Sequence, residues 1–177
     1  MEIKMSVSKI TIKRGDITKE DAECIVNAAN TALRGGGGVD GAIHRAAGKS
    51  VLEECIKIGS CKTGDAVMTN AGNLKAKKII HTVGPVWNDG KRNEAELLRS
   101  CYRKSCELAK KNKLKSIAFP AISTGAYGYP IEEAADIALE EGIKFENDFD
   151  EIRFICFSKE DFEIYEKIFD EISPKDA

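Results

Sequence analysis

The chain predicts a three-layer α/β/α domain on a largely parallel sheet, and three features of its 177 residues carry that prediction. Short runs that are apolar inside recur at residues 9–13, 24–27, 66–69, 78–83, 116–119 and 152–157, the pattern of strands covered on both faces. Amphipathic segments alternate with them, so helices are available for both faces of a sheet. Two glycine-bearing passages each lie between a buried run and a helix, where an open α/β sheet carries its ligand crevice at the carboxyl ends of the strands.

The first run leads into Gly15-Asp16-Ile17-Thr18. An aspartate there suits an Asx-turn or a helix cap, and equally suits accepting a hydrogen bond from an exocyclic amine while the Ile17 amide donates to the ring. The second run ends in Asn27-Ala28-Ala29-Asn30 and is followed by a glycine passage, after which a helix is expected from Val39. Another is expected from Ser50, where Ser50-x-x-Glu53 has the form of a capping box and Gly59 ends the apolar face of Leu52, Cys55 and Ile56. Asn93-x-x-Glu96 predicts a third capped start, with Leu98, Cys101, Tyr102 and Ala109 on one face and Lys110, Lys111 and Lys113 at the negative end of the dipole. Pro130 occupies a first-turn position and Gly142 the expected stop of a fourth helix, and a last one begins at Ser158 with Phe162, Tyr165, Phe169 and Ile172 on its face.

Composition narrows the function classes. Hydrophobic residues are 42% and charged residues 32%, enough of both for one soluble domain over residues 1–177. The balance of 27 basic against 29 acidic side chains argues against a surface that grips nucleic-acid backbone. The longest apolar run is four residues, 154–157, too short for a membrane span or a signal-peptide core, so a cytoplasmic protein is expected. Six scattered cysteines without a Cys-x-x-Cys pair, and two histidines, show neither a disulfide framework nor zinc-site spacing. Reduced thiols and no metal are the expectation.

Six of the fifteen glycines fall between positions 35 and 48, within Gly35-Gly36-Gly37-Gly38-Val39-Asp40-Gly41 and the residues that follow. Glycine lets a ligand touch bare backbone, and outward-pointing amides of Gly37, Gly38 and Val39 at a helix N-terminus would hold a diphosphate without lysine. The run lacks the Gly-Lys-Ser/Thr ending and the Gly-x-Gly-x-x-Gly spacing of the common nucleotide fingerprints. Asp40 follows on the first helical turn with His44 at i+4, close enough to orient or tune it. Spacing alone favours the plainer roles of a dipole-complementing acid and a packed histidine.

A second loop, Pro120 to Pro130, offers the hydroxyls of Ser123 and Thr124, close backbone approach at Gly125 and Gly128, and the flat face of Tyr127 for a sugar. Two such loops on one sheet edge could clamp a diphosphate from opposite sides. Phe157, at the end of the last run, suits either stacking on a base or a place in the core.

With these residues assembled, the sequence resembles the macrodomain family, closest to its MacroD-type ADP-ribosyl hydrolases and O-acetyl-ADP-ribose deacetylases. The resemblance spans about residues 10–172, the implied core of the domain, and rests on Gly15-Asp16-Ile17-Thr18, Val26-Asn27-Ala28-Ala29-Asn30, Gly35 through Gly48, His81-Thr82-Val83-Gly84-Pro85 and Ile122 through Pro130. It implies a mixed six-stranded sheet with ADP-ribose across the strand ends: Asp16 and Ile17 on adenine with Phe157 packed on it, and Gly37, Gly38, Val39, Ser123, Thr124, Gly125, Ala126 and Tyr127 around the diphosphate and distal ribose. Asn30 and Asp40 match the family's catalytic pair. The implied activity is metal-independent hydrolysis at the distal ribose without a cofactor, acting on mono-ADP-ribosylated acidic side chains or on O-acetyl-ADP-ribose, with an ADP-ribose reader as the alternative. The chain lacks the Gln-Glu-Glu run of poly(ADP-ribose) glycohydrolases and the added Cys/His set of zinc-dependent macrodomains, and it has the acid at position 40 that viral types usually lack.

Overall fold

In the computed structural model, which describes residues 8–173, six strands form one sheet. They are β1 (Ile10–Arg14), β2 (Cys24–Ala28), β3 (Ala66–Asn70), β4 (Lys78–Thr82), β5 (Ser116–Phe119) and β6 (Glu151–Cys156). Their order is β1-β6-β5-β2-β4-β3, every pairing parallel except the β3–β4 edge. The mixed, largely parallel expectation is therefore met. The helices are α1 (Gly38–Ala47), α2 (Lys49–Ile58), α3 (Glu94–Lys111), α4 (Ile131–Phe145) and α5 (Lys159–Ile172).

Period-2 alternation splits the strand side chains between two cores. Val26 and Ile80 pack with α3, α4 and α5, while Ile25 and Ile79 face the layer holding Ile43 of α1 and Val51 and Cys55 of α2. Each such isoleucine is fully buried and stabilises the fold by roughly 1.5–3 kcal/mol relative to exposure. The same alternation sends Asn27 and His81, register partners on β2 and β4, to the α1/α2 side beside the carboxyl ends of the strands.

Several predicted boundaries shift for identifiable reasons. Helix α1 begins one residue early, at Gly38, and β6 ends at Cys156 rather than at 157. Ser50 caps nothing: a single residue, Gly48 at φ +91°, closes α1 and opens α2, so Ser50 already lies inside the first turn and its hydroxyl donates to Asn70 Oδ1 at 3.2 Å. Asn93 is the N-cap of α3 but in a left-handed conformation without a side-chain cap bond. Buried Glu94 works there instead, accepting backbone N–H bonds from Asn88, Gly90 and Arg92. Pro130 is the cap of α4 rather than its first residue, its carbonyl receiving the Ala134 amide at 3.0 Å. Gly142 does not stop that helix, which runs on to Phe145; a Cβ at Gly142 would come within 2.8 Å of the Phe154 ring, so glycine is there for helix–sheet approach.

Candidate active site

The strand ends at β2, β4 and β5 open onto one cleft of about 300 Å³. Its lining is Ala28, Ala29 and Asn30 after β2, Gly36 through Asp40 at the start of α1, Gly84 after β4, and Ala121, Ser123, Gly125, Ala126 and Tyr127 after β5. Both glycine-bearing passages thus meet across the sheet edge. Gly37 is the N-cap of α1, so the cleft is walled by the first amides of that helix, where the backbone supplies partial positive charge.

Asp40 is 6% exposed yet borders this cleft. Its Oδ1 accepts a 2.8 Å bond from Asn27 Nδ2 and lies 3.5 Å from His44 Nε2. Asn27 Nδ2 also donates to His81 Nδ1 at 3.1 Å, and His81 Nε2 lies 2.9 Å from Thr69 Oγ1, which itself donates to the Asn70 carbonyl. That chain fixes the tautomer: with Nδ1 accepting and the Thr69 proton committed, His81 carries its proton on Nε2. Burial, with the neighbouring His44 adding to it, holds the His81 pKa down at about 3, so the ring is neutral.

Asn30 borders the same cleft. Its Nδ2 donates to the Gly35 carbonyl at 3.0 Å, while its Oδ1 is buried with no partner among the described residues. A Cβ placed on Gly36 would lie 3.4 Å from Asp40 Oδ2 and 3.6 Å from Asn30 Nδ2. The two side chains therefore face one small space that glycine keeps open.

The second loop is built as a tight turn. Ser123 takes φ +67° and its buried Oγ is likewise unpartnered among the described residues. The Gly128 amide bonds to the Gly125 carbonyl, and the Tyr129 amide to that of Ser123. Gly84 lies directly beneath, since any Cβ there would collide with Ser123 Oγ and Ile122. Trp87 donates its amide to the Tyr127 carbonyl at 2.8 Å and tilts against the Tyr129 ring at 4.7 Å, bracing the turn from the β4–α3 segment. Thr124 is outside the cleft lining, its hydroxyl donating to the Ala121 carbonyl within the turn.

The residues expected on a base lie further along the same edge, outside the 300 Å³ cleft. Asp16 caps the 3-10 turn Ile17–Lys19 and accepts from the Thr18 amide at 2.9 Å and hydroxyl at 2.7 Å, bonds that hold its carboxyl below the usual range. Gly15 ties this turn to β6 through the Cys156 carbonyl, which places it next to Phe157. Ile17 is buried. Phe157 is 86% exposed, which removes the reading of it as a core residue: it follows the last strand residue, and no element among the described residues covers it.

Sequence spacing did not find Asn27 or Trp87, and it did not find that His44, Cys55 and His81 converge with their ligand atoms within 4.8 Å of one another. Asn27 had a legible signal in its own register, two residues beyond Ile25 on the same strand face. His44, Cys55 and His81 meet only through tertiary packing.

Residues 26–138 match the model of the family described as Macro domain. A Macro domain-containing protein of Listeria monocytogenes is 53% identical over 169 residues, covering 90% of this chain and 96% of its own. An O-acetyl-ADP-ribose deacetylase of Escherichia coli is 48% identical over 168 residues, covering 91% and 95%. Among solved structures, a mutant Oceanobacillus iheyensis macrodomain with ADPR superposes with a TM-score of 0.87 at 46% identity, covering 93% of each chain.

Proposed function

The chain belongs to the Macro domain family, and from that premise we propose that it binds ADP-ribose across the strand ends and hydrolyses an acyl ester on the distal ribose. O-acetyl-ADP-ribose and ADP-ribose joined to an acidic protein side chain both present such an ester. The deacetylase among the relatives and the ADPR-bound neighbour support this reading. The observation that carries it is the pairing of Asp40 and Asn30 across bare Gly36 in a cleft walled by helix-start amides.

In this reading the amides of Gly37, Gly38 and Val39 and the turn of Ser123, Gly125, Ala126 and Tyr127 enclose the diphosphate, which explains how a chain of net charge −2 holds an anion. Thr124 shapes that turn from behind. The adenine extends toward Asp16, Ile17 and Phe157, where an exposed ring is available to stack. Asn30 Oδ1 accepts from a ribose hydroxyl and so fixes the sugar. Asp40, oriented through Oδ1 by Asn27, uses Oδ2 to orient a water or take its proton. Attack at the acetyl carbonyl releases acetate and ADP-ribose; attack at the anomeric carbon releases the protein carboxylate. Neither route calls on a cofactor or a metal, and the compartment proposed is the cytoplasm.

Incubation with O-acetyl-ADP-ribose and with a glutamate-linked mono-ADP-ribosylated protein tests the proposal through release of acetate and of ADP-ribose. Turnover of at least one is expected. ADP-ribose binding by calorimetry with release from neither substrate would make the protein a reader module instead.

A further inference from the structure

We infer that His44, Cys55 and His81 form a binding site for a thiophilic divalent cation of the zinc type, and that filling this site switches off Asp40. The residues come from α1, α2 and β4, and their ligand atoms lie within 4.8 Å of one another. A tetrahedral zinc with Zn–S near 2.3 Å and Zn–N near 2.0 Å holds its sulfur and nitrogen ligands about 3.5 Å apart. Cys55 Sγ and His81 Nε2 are 3.8 Å apart, within a few tenths of an ångström of that span. A shift of about 1 Å in the His44 side chain closes the remaining edges once the Thr69 hydroxyl, now 2.9 Å from His81 Nε2, rotates off that nitrogen, and a fourth position stays open. One thiolate with two imidazoles selects zinc-like ions over magnesium or calcium. Cys55 and His81 are fully enclosed, whereas the His44 side chain is 13% exposed beside Gly35, so an ion enters past His44.

The tautomer of His81 couples this site to the cleft. Binding releases the Cys55 thiol proton to solvent and commits the Nε2 lone pair of His81 to the ion, so the one ring proton moves to Nδ1. That Nδ1–H then confronts the Nδ2–H of Asn27, donor against donor, across the present 3.1 Å contact. Turning the Asn27 amide relieves the clash but presents its Oδ1 to Asp40, which loses its 2.8 Å donor and gains a repelling carbonyl. The inhibitory consequence rests on the role proposed for Asp40; cation binding itself does not.

Titration of the chelator-treated protein with Co2+ is expected to give a thiolate-to-metal charge-transfer band and tetrahedral ligand-field bands that saturate at one equivalent. In Cys55→Ser and Cys55→Ala the charge-transfer band is absent, while ADP-ribose binding, read by calorimetry, confirms that both variants are folded. Zn2+ should lower wild-type turnover at least tenfold, reversibly with chelator, and change turnover of either variant less than threefold. A charge-transfer band that never forms, or that persists in both variants, overturns the site. A normal band in wild type with turnover unaffected by Zn2+ overturns the coupling. Absence of any hydrolysis in the metal-free protein would count against the proposed function alone, since the Co2+ spectrum still decides the site.

Discussion

Asp40 loses its solvation on folding and recovers one strong partner, the Asn27 amide, which is why its position is fixed before any substrate arrives. Replacing it by alanine should lower turnover by at least about tenfold, roughly 1.4 kcal/mol of barrier, while ADP-ribose affinity changes much less. Steady-state kinetics beside calorimetry separates the two, and undiminished turnover would reject the assignment. Gly38 answers a different question. Beyond its chain neighbours and its own helix backbone, a Cβ there meets no atom of the described residues within 4 Å, so space is not what requires glycine; its φ of +57° is, because a β-branched side chain pays about 1–2 kcal/mol in the left-handed region. Gly38→Val should therefore weaken ADP-ribose binding about tenfold by turning the first amides of α1 away, and an unchanged dissociation constant would show that those amides do not hold the ligand.

At the scale of elements, position along the chain was the legible part: the six strands and five helices of the described residues overlap the short apolar runs and the amphipathic segments that predicted them. End signals were less legible, because Ser, Asn and Gly satisfy the same patterns whether or not they cap. Glu94 illustrates it. Asn93-x-x-Glu96 has the sequence of a cap, but the side chain that collects backbone donors belongs to the residue between them, and its donors lie upstream in the segment after β4. Gly142 read as a stop because its neighbour in space, Phe154, is twelve residues away in sequence. Burial pushes the Glu94 carboxyl up, but the amides of Asn88, Glu94, Arg92 and Gly90 hold it below the usual carboxylate range. A carboxylate depressed in the folded state stabilises it at pH values above the unfolded pKa, and that stabilisation disappears as pH falls through the folded pKa. Thermal melts of wild type should accordingly lose stability on acidification below about pH 4.3, and Glu94→Gln should melt lower at neutral pH with a shallower acid dependence in that window. Parallel melting curves for the two proteins would show that the 88–92 segment is held by something else.

At the scale of the molecule, the layers decide what each cysteine can do. Spacing along the chain showed only that no pair was arranged for a disulfide or zinc motif; the sheet then places all six thiols at 0–4% exposure, distributed between its two cores. Burial pushes Cys55, Cys61 and Cys101 up to about 11 and Cys156 up to about 12, and raises Cys24 and Cys106 further still. At pH 8 a thiol with a pKa near 11 is roughly one part in a thousand thiolate, and the reagent must also reach it. Native protein should therefore show fewer than one rapidly reacting thiol with an aromatic disulfide reagent, and denaturant should release all six. Because Cys24 and Cys106 belong to the α3/α4/α5 core and Cys55 and Cys61 to the α1/α2 core, exposure of both sets at one denaturant midpoint would mean that the sheet unfolds with both its layers as one unit. Prompt modification of two or more thiols in protein that still binds ADP-ribose would mean that one layer opens independently, and the α1/α2 layer, which carries Asp40, would be the one to examine by peptide mapping.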